Sequence, residues 1–110
     1  MAMYMTQFSY SAPAIKAMVD KPQDRRAAAE KIFAAAGGKL TAFYFSFGEF
    51  DGVVIADFPS HVDAASALLA VSASGAFSKF QTTALITAEE SVRAMEKAHG
   101  IVTSYTPPTG

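Results

Sequence analysis

The stretch that decides the fold is Leu40-Thr-Ala-Phe-Tyr-Phe-Ser-Phe47, followed by Gly48-Glu-Phe-Asp-Gly52 and Val53-Val-Ile-Ala-Asp-Phe58. The first and last runs are rich in aromatic and β-branched residues, which is typical of strands. Asp-Gly between two such runs is a strong signal for a β-hairpin. The stretch therefore predicts two neighbouring antiparallel strands, the second of which ends at Pro59.

On the N-terminal side of this hairpin, residues 3–10 alternate large and polar side chains and predict a first strand. Ser11 suits the start of a helix. Pro22 interrupts the helical pattern, so we expect a second start, capped by Asp20, and a continuation over residues 25–36. The apolar face and the end of that segment are predicted to be Ala29, Ile32, Phe33, Ala36 and Gly37-Gly38.

On the C-terminal side, Ser60 begins a capping pattern, and the helix after it is expected to run to about Ser74. Residues 80–86 alternate again and predict a fourth strand. Thr87 opens another capping box, and its helix is expected to run to about His99. The residues predicted to face inward are Val62, Ala65, Leu68, Leu69 and Ser72 in the first helix and Val92, Met95 and Ala98 in the second.

This order of elements predicts an α+β fold, the ferredoxin-like βαββαβ sandwich with an antiparallel four-stranded sheet, plus a C-terminal helix. Of the apolar residues, 22 are Ala, which leaves 34 larger ones, enough for one core and too few for two. We therefore expect a single domain over residues 1–110. Residues 101–110 show no periodicity and form a tail that is either docked or mobile.

Both faces of the predicted sheet are apolar if the hairpin loop has an even number of residues. A second copy packed sheet against sheet would cover the face without helices, whereas the alternative is that its side chains are simply exposed. The favoured prediction is therefore a homodimer. The two faces are Phe43, Phe45, Phe47, Val54, Ala56 and Phe58 on one side and Ala42, Tyr44, Ser46, Val53, Ile55 and Asp57 on the other.

Four features of the chain occur together: a helix broken near Pro22, the run Gly37-Gly38-Lys39-Leu40, the turn Gly48-Glu49-Phe50-Asp51 and the Ala-rich helix that follows. With these features the chain resembles the GYD-domain family over about residues 3–96. These are small prokaryotic proteins of the dimeric α/β-barrel superfamily. The resemblance implies a ferredoxin-like protomer that pairs sheet to sheet. Phe50 stands where relatives typically have Tyr, so a role for a phenolic hydroxyl there is in doubt. Superfamily relatives include cofactor-free monooxygenases, isomerases, haem-degrading enzymes and ligand-sensing domains.

The candidate catalytic residues are four side chains that could transfer protons. Asp57 interrupts an otherwise apolar strand, and its face places it near Ala42 and Tyr44; a covered carboxylate must be paired or protonated. Each has a structural alternative, such as a strand end for Asp57. The four candidates are Asp57, Tyr44, Asp51 and His61.

The candidate ligand-binding residues could add a few polar groups to an apolar pocket. The alternative for each aromatic residue is cross-strand packing within the sheet. Together with the less specific Tyr4, these candidates are Tyr10, Tyr44, Ser46 and Asp57.

Composition argues against several classes of partner. There is no Cys, and the two His residues lack metal-ligand spacing, so neither a metal nor a cofactor is expected. A net charge of −1 gives no reason to expect nucleic acid as partner. No apolar run approaches the length of a membrane span, and the N-terminus does not resemble a signal peptide, so a cytoplasmic location is expected.

Two functions remain open from the sequence. The leading hypothesis is a homodimeric ligand-binding or interaction module that binds a small apolar ligand. The alternative is a cofactor-independent enzyme, similar to a monooxygenase or an isomerase, that acts on a small hydrophobic or aromatic compound. A cavity with a titratable group inside it would favour the enzyme.

Overall fold

A computed structural model describes residues 1–109; Gly110, the end of the predicted tail, lies outside them. The strands are β1 (Ala2–Tyr10), β2 (Lys39–Phe45), β3 (Gly52–Phe58) and β4 (Phe77–Leu85). The helices are α1 (Ala12–Asp20), α2 (Arg25–Ala35), α3 (His61–Ser72) and α4 (Ala88–Ile101), followed by a 3-10 turn at Val102–Ser104.

The strands form one antiparallel sheet in the order β2-β3-β1-β4. Helices α2 and α3 cover one face of it, and the core lies between them and the sheet. This is the ferredoxin-like arrangement that the sequence predicts. The face without helices is called the open face below. Its apolar side chains are Met3, Met5, Tyr44, Val53, Ile55 and Leu85.

The register of the hairpin confirms the predicted division of the sheet into two faces. Phe43 lies opposite Val54, and Phe45 lies opposite Gly52, so six residues, an even number, connect the strands. Phe47, however, is wrongly placed by the sequence: strand β2 ends at Phe45, and Phe47 is fully exposed in the connection. The strand ends early because the residues after it turn towards β1.

The predicted helices are confirmed, with one exception at a cap and one at an end. Helix α4 runs through Gly100 to Ile101, so the predicted tail begins with a helical residue and a 3-10 turn. The hydroxyl of Ser11 accepts a hydrogen bond from the Ala14 N–H at 3.3 Å. The second helix is capped by Asp24, whose Oδ1 accepts from the Arg26 N–H at 2.9 Å, and not by Asp20. Pro22 disfavours the helical conformation in the residue before it, so the chain needs several residues to restart. Gly37 ends α2 with a φ of 81°.

The buried face of α3 differs from the predicted one. Ala64 and Ala67 are buried, whereas Val62 and Leu69 are 73% and 70% exposed. The two Ala side chains allow α3 to approach the sheet closely, and this outweighs the burial of larger side chains two positions away. The helix is therefore rotated relative to the hydrophobic pattern.

Helix α4 is confirmed as an element, but its predicted burial is wrong. None of its residues is buried, and Val92 and Met95 are 51% and 66% exposed. Within the described residues, its extensive contacts are with the 3-10 turn that follows it. The chain is accordingly elongated, at 59 × 32 × 22 Å.

Candidate functional site

A cavity of about 270 Å³ lies between the sheet and helices α2 and α3. This volume is close to the lower limit for small-molecule pockets, which is roughly 300 Å³. Six aromatic side chains line it, and small Ala residues of α2 leave the space open. Among the lining residues are Thr6, Phe8, Tyr10, Arg25, Ala28, Ala29, Phe33, Phe43, Phe77 and Phe80.

The aromatic wall is held rigid by ring contacts between β1 and β4. The ring of Phe77 stacks on Tyr10 with centroids 4.9 Å apart and meets Phe80 at the same distance. Phe8 contacts Phe77 edge to face at 5.6 Å. Such pairs prefer these offset and edge geometries, so the wall is packed in advance of any ligand.

The cavity has one polar end, formed by Tyr10 and Arg25. Burial raises the pKa of the Tyr10 phenol, and the Asp51 carboxylate adds to this, while hydrogen bonding and charge from Arg25 oppose it. Tyr10 therefore stays protonated at neutral pH and can donate a hydrogen bond. The guanidinium of Arg25 also donates to Gln23 at 2.7 Å, which leaves further N–H groups for a ligand.

Thr6 supplies a hydroxyl in the middle of β1. It is buried, and its Oγ1 lies 2.9 Å from the hydroxyl oxygen of Thr82 on β4. The two hydroxyls satisfy each other across the strands. They hold β4 against β1 below the cavity.

Asp51, a candidate catalytic residue, binds the backbone of β1. Its Oδ2 accepts a hydrogen bond from the Tyr10 N–H at 2.9 Å, and its own N–H donates to the Phe8 carbonyl at 2.8 Å. Both bonds attach the β2–β3 connection to the end of β1. Asp51 thus positions Tyr10 and does not itself line the cavity.

Three of the candidate residues, Tyr44, Ser46 and Asp57, do not line the cavity. Tyr44 is 66% exposed on the open face, and the Ser46 hydroxyl donates to the Phe50 carbonyl at 2.7 Å. Asp57 shares that face, but its strand neighbours are Lys39 and Met3, not Ala42 and Tyr44 as expected. Tyr44 lies opposite Val53, four residues from Asp57, which corresponds to about 13 Å along a strand.

His61, the remaining catalytic candidate, lies at the other end of the sheet. Its Nδ1 is hydrogen-bonded to the hydroxyl of the buried Tyr4, and the two rings are nearly perpendicular. This pair fixes the first turn of α3 against β1. Neither residue lines the cavity, so the structure separates His61 and Tyr4 from Tyr10.

Phe50, the departure from the family pattern, is buried in the β2–β3 connection. The ammonium of Lys79 lies 4.5 Å from its ring centroid and 3.6 Å from the Glu49 carboxylate. A cation over an aromatic face is an attractive contact that needs no hydroxyl. Phe50 therefore holds the connection against β4 at this position.

Sequence reasoning missed Arg25 and most of the aromatic wall. Arg25 is the first residue of α2 and half-buried, a position that looks solvent-exposed in a sequence beginning Asp24-Arg25-Arg26. Phe77 was outside the predicted fourth strand, which begins three residues earlier than expected. Phe77 and Phe80 are three residues apart, a spacing that alternation alone places on opposite faces of a strand. They line the same wall because the pairing of β1 with β4 shifts register between Ser9 and Tyr10.

Residues 1–109 show neither a cluster of metal ligands nor a membrane-spanning helix. No group of three or more His, Cys, Asp or Glu side chains in this part of the chain could hold a metal ion. In the same range, no helix combines the length and the apolar character that crossing a bilayer requires.

The family comparison agrees with this geometry. The model of the GYD domain matches residues 4–95, which is most of the chain. The chain belongs to the GYD-domain family. Within this GYD protein the match covers all four strands and the cavity, and it ends within α4. No curated protein matches the sequence.

Solved structures similar to this GYD protein show its fold. The crystal structure of MtbAldR has a TM-score of 0.58 at 16% identity and covers 78% of the chain, which spans about half (53%) of MtbAldR. FFRP-DM1 has a TM-score of 0.54 at 16% identity, and the match covers 78% of this chain and 100% of FFRP-DM1. A hypothetical protein from Pyrococcus horikoshii has a TM-score of 0.53 at 16% identity, covering 79% and 92%. At these identities the likeness concerns the fold alone.

Proposed function

We propose that this GYD protein is a homodimeric ligand-binding module that binds a small aromatic or aliphatic molecule with an anionic group. The observation that carries the proposal is the cavity between the sheet and helices α2 and α3. Six aromatic side chains line it, and among residues 1–109 its one charged lining side chain is a cation, Arg25, next to a protonated phenol, Tyr10. Apolar pockets with a few polar groups are typical of small-molecule sites.

The polar end selects the ligand's charge. A guanidinium recognises carboxylates and similar oxyanions with two parallel hydrogen bonds, and the Tyr10 hydroxyl adds a third donor. The Asp51 carboxylate does not compete from inside the cavity, because its Oδ2 accepts the Tyr10 N–H. We therefore expect a small carboxylate whose apolar body fills the aromatic wall.

The second part of the proposal is the homodimer through the open face. Tyr44 on that face is 66% exposed, and it is accompanied by the apolar side chains of Met3, Met5, Val53 and Ile55. An antiparallel sheet with one uncovered apolar face favours a second layer. A second copy with the same face supplies that layer with two-fold symmetry.

The enzyme alternative is supported by one observation, the Tyr10 hydroxyl inside an apolar cavity. A protonated phenol beside a guanidinium can stabilise an oxyanion that forms during a reaction. However, among residues 1–109 no Asp, Glu or His lines the cavity, so the residues that would remove a proton from a substrate lie elsewhere. The cavity thus favours binding over catalysis.

The ligand proposal is tested with benzoate and, as an uncharged probe of matched size, benzyl alcohol, titrated by isotope-edited NMR. Benzoate should shift the amide signals of β1 and α2. Arg25→Gln should weaken benzoate binding about 10- to 100-fold, the equivalent of a charged hydrogen bond worth roughly 1.5–3 kcal/mol. The same variant should leave benzyl alcohol binding unchanged.

The matched control is Arg26→Gln, because Arg26 is the next residue and pairs with Glu30 on the surface at 3.0 Å. This variant should bind benzoate as the wild type does. Equal losses in both variants, or shifts confined to the open face, would refute the proposed site. New product signals that depend on Tyr10 would favour the enzyme instead.

Native mass spectrometry of freshly purified protein tests the homodimer and can detect a co-purifying ligand. We expect twice the chain mass of 11.6 kDa at micromolar concentration. A monomer under these conditions would overturn the homodimer but would leave the NMR result on the cavity untouched.

A further inference from the structure

Helix α4 and the residues around it form an arm that the rest of the chain does not cover. From Ile86 to Thr109, every residue except Ser91 is exposed. The arm is nevertheless amphipathic, and its exposed large apolar side chains are Ile86, Val92, Met95, Ile101, Val102 and Tyr105. A helix with one apolar side normally buries that side against a protein surface.

The start of the arm is defined by a pair of hydrogen bonds. The Thr87 hydroxyl accepts a hydrogen bond from the Glu90 N–H at 3.0 Å, and the Glu90 carboxylate accepts from the Thr87 N–H at 2.9 Å. This capping box begins α4 only two residues after β4 ends, so the arm follows the strand with a short connection.

The two sides of α4 differ sharply at helical spacing. Ala88, Val92 and Met95 follow one another at intervals of four and three and share one side, called the apolar stripe below. The opposite side has both signs of charge, including an ion pair between Arg93 and Glu89. The charged residues of α4 are Glu89, Glu90, Arg93, Glu96 and Lys97. A net negative charge on this helix argues against an anionic membrane as the surface that it binds.

The chain exposes more surface than a compact protein of its mass, and the excess is as large as an interface. A compact protein of this mass exposes about 5,800 Å², whereas this chain exposes 7594 Å². The difference is about 1,800 Å², more than the roughly 800 Å² that each partner buries in a standard interface and within the range of permanent homodimers. The arm follows β4, which lies at the edge of the sheet, and is not part of the open face.

From these observations we propose that α4 packs its apolar stripe on the second copy of the chain, so that the two subunits exchange arms. We choose a second copy as the partner of the arm because the same chain exposes both the arm and an apolar open face. A two-fold axis lets one dimer bury both surfaces at once. This inference rests on the proposed homodimer and goes beyond it, since a dimer can form through the open face without the arms.

One consequence is that the stripe stabilises the dimer. Met95→Glu places a charge on the apolar stripe, while Lys97→Gln changes the net charge by the same amount on the polar side. All four residue types are good helix formers, so α4 itself is preserved. We expect Met95→Glu to raise the dimer dissociation constant at least about tenfold, because it buries an unpaired charge. Lys97→Gln should leave the constant unchanged, as measured by analytical ultracentrifugation.

The location of the arm is tested by photo-crosslinking. Because the chain has no Cys, Met95→Cys creates a single attachment point for a benzophenone maleimide. Irradiation should yield a product of twice the chain mass on a denaturing gel. A dimer that gives only links within one chain would overturn the arm exchange while the homodimer stands. A wild-type chain that sediments as a monomer would overturn both, and equal dissociation constants for the two variants would also overturn the exchange.

Discussion

Gly52, at the start of β3, should not tolerate even a methyl group. A Cβ built at this position lies 2.7 Å from Cε2 of Phe8 and 3.0 Å from the Tyr44 carbonyl oxygen, distances that real Cβ atoms hardly ever show. The Phe8 ring is only 2% exposed, and the Tyr44 oxygen belongs to the backbone of the neighbouring strand. Neither group can move without disturbing the sheet or the cavity wall.

The expected cost of Gly52→Ala follows from this crowding. Overpacking a core costs about 1–3 kcal/mol, and the value here should lie in the upper half of that range because one of the crowded atoms is backbone. About 2–3 kcal/mol corresponds to a melting temperature lowered by roughly 10–20 °C in a domain of this size. Urea unfolding at a fixed chain concentration measures the cost directly, since dimerisation would otherwise shift the midpoint.

Gly48→Ala is the matched control in the same connection. No atom lies within 4 Å of a Cβ at Gly48, and its φ is not positive. This variant should therefore be as stable as the wild type or more stable by up to about 1 kcal/mol. The double variant Phe8→Leu with Gly52→Ala should lose less free energy of unfolding than the two single variants lose together. Phe8→Leu removes the ring that the methyl group introduced by Gly52→Ala would otherwise contact. Stabilities of Gly52→Ala and Gly48→Ala within about 0.5 kcal/mol of each other would refute the steric argument.

Two further predictions concern the β1 end and one concerns α4. Asp51→Ala leaves the N–H of the buried Tyr10 without its acceptor and should lower the free energy of unfolding by about 1–3 kcal/mol; unchanged urea denaturation would contradict this. Burial raises the pKa of the Tyr10 phenol above the ordinary tyrosine value of 10.0, so with rising pH the unfolded chain loses the phenol proton before the folded chain does. The free energy of unfolding should therefore fall as the pH rises past 10.0. Tyr10→Phe should remove this part of the alkaline loss, which thermal melts at several pH values can check. Thr87→Ala removes half of the capping box and should cost α4 about 1 kcal/mol, visible as roughly fivefold faster amide hydrogen exchange in that helix.

The hairpin shows which parts of the fold are predictable from sequence. Alternation and the Asp-Gly signal were sufficient to place Phe43 and Val54 on one face of the sheet and Tyr44 and Ile55 on the other. This works because successive side chains of a strand point to opposite faces whatever their surroundings. Phe47 was misplaced because the end of a strand depends on where the connection finds hydrogen bonds. Here Asp51 bonds to the end of β1, a strand more than 40 positions away in sequence.

The candidate site was predictable only in part, and for a related reason. Tyr10 was named from its residue type and lines the cavity, whereas Tyr44, Ser46 and Asp57 lie outside it. Arg25 follows a capping Asp and resembles an exposed helix start, so nothing local distinguishes it from Arg26. Its proximity to Tyr10 arises from the tertiary structure, which places the start of α2 beside the end of β1.

The sequence by itself determined the order of elements, the ferredoxin-like fold and the family, because these depend on local periodicity and on short capping and turn signals. Only the tertiary structure decided which face of α3 is buried, where the cavity opens and what α4 contacts. Ala64 and Ala67 are buried in preference to larger neighbours because close helix–sheet approach depends on shape. The apolar stripe of α4 was visible in the sequence, yet a hydrophobic pattern states only that a surface prefers burial. The three-dimensional course of the chain shows that its own sheet does not bury it.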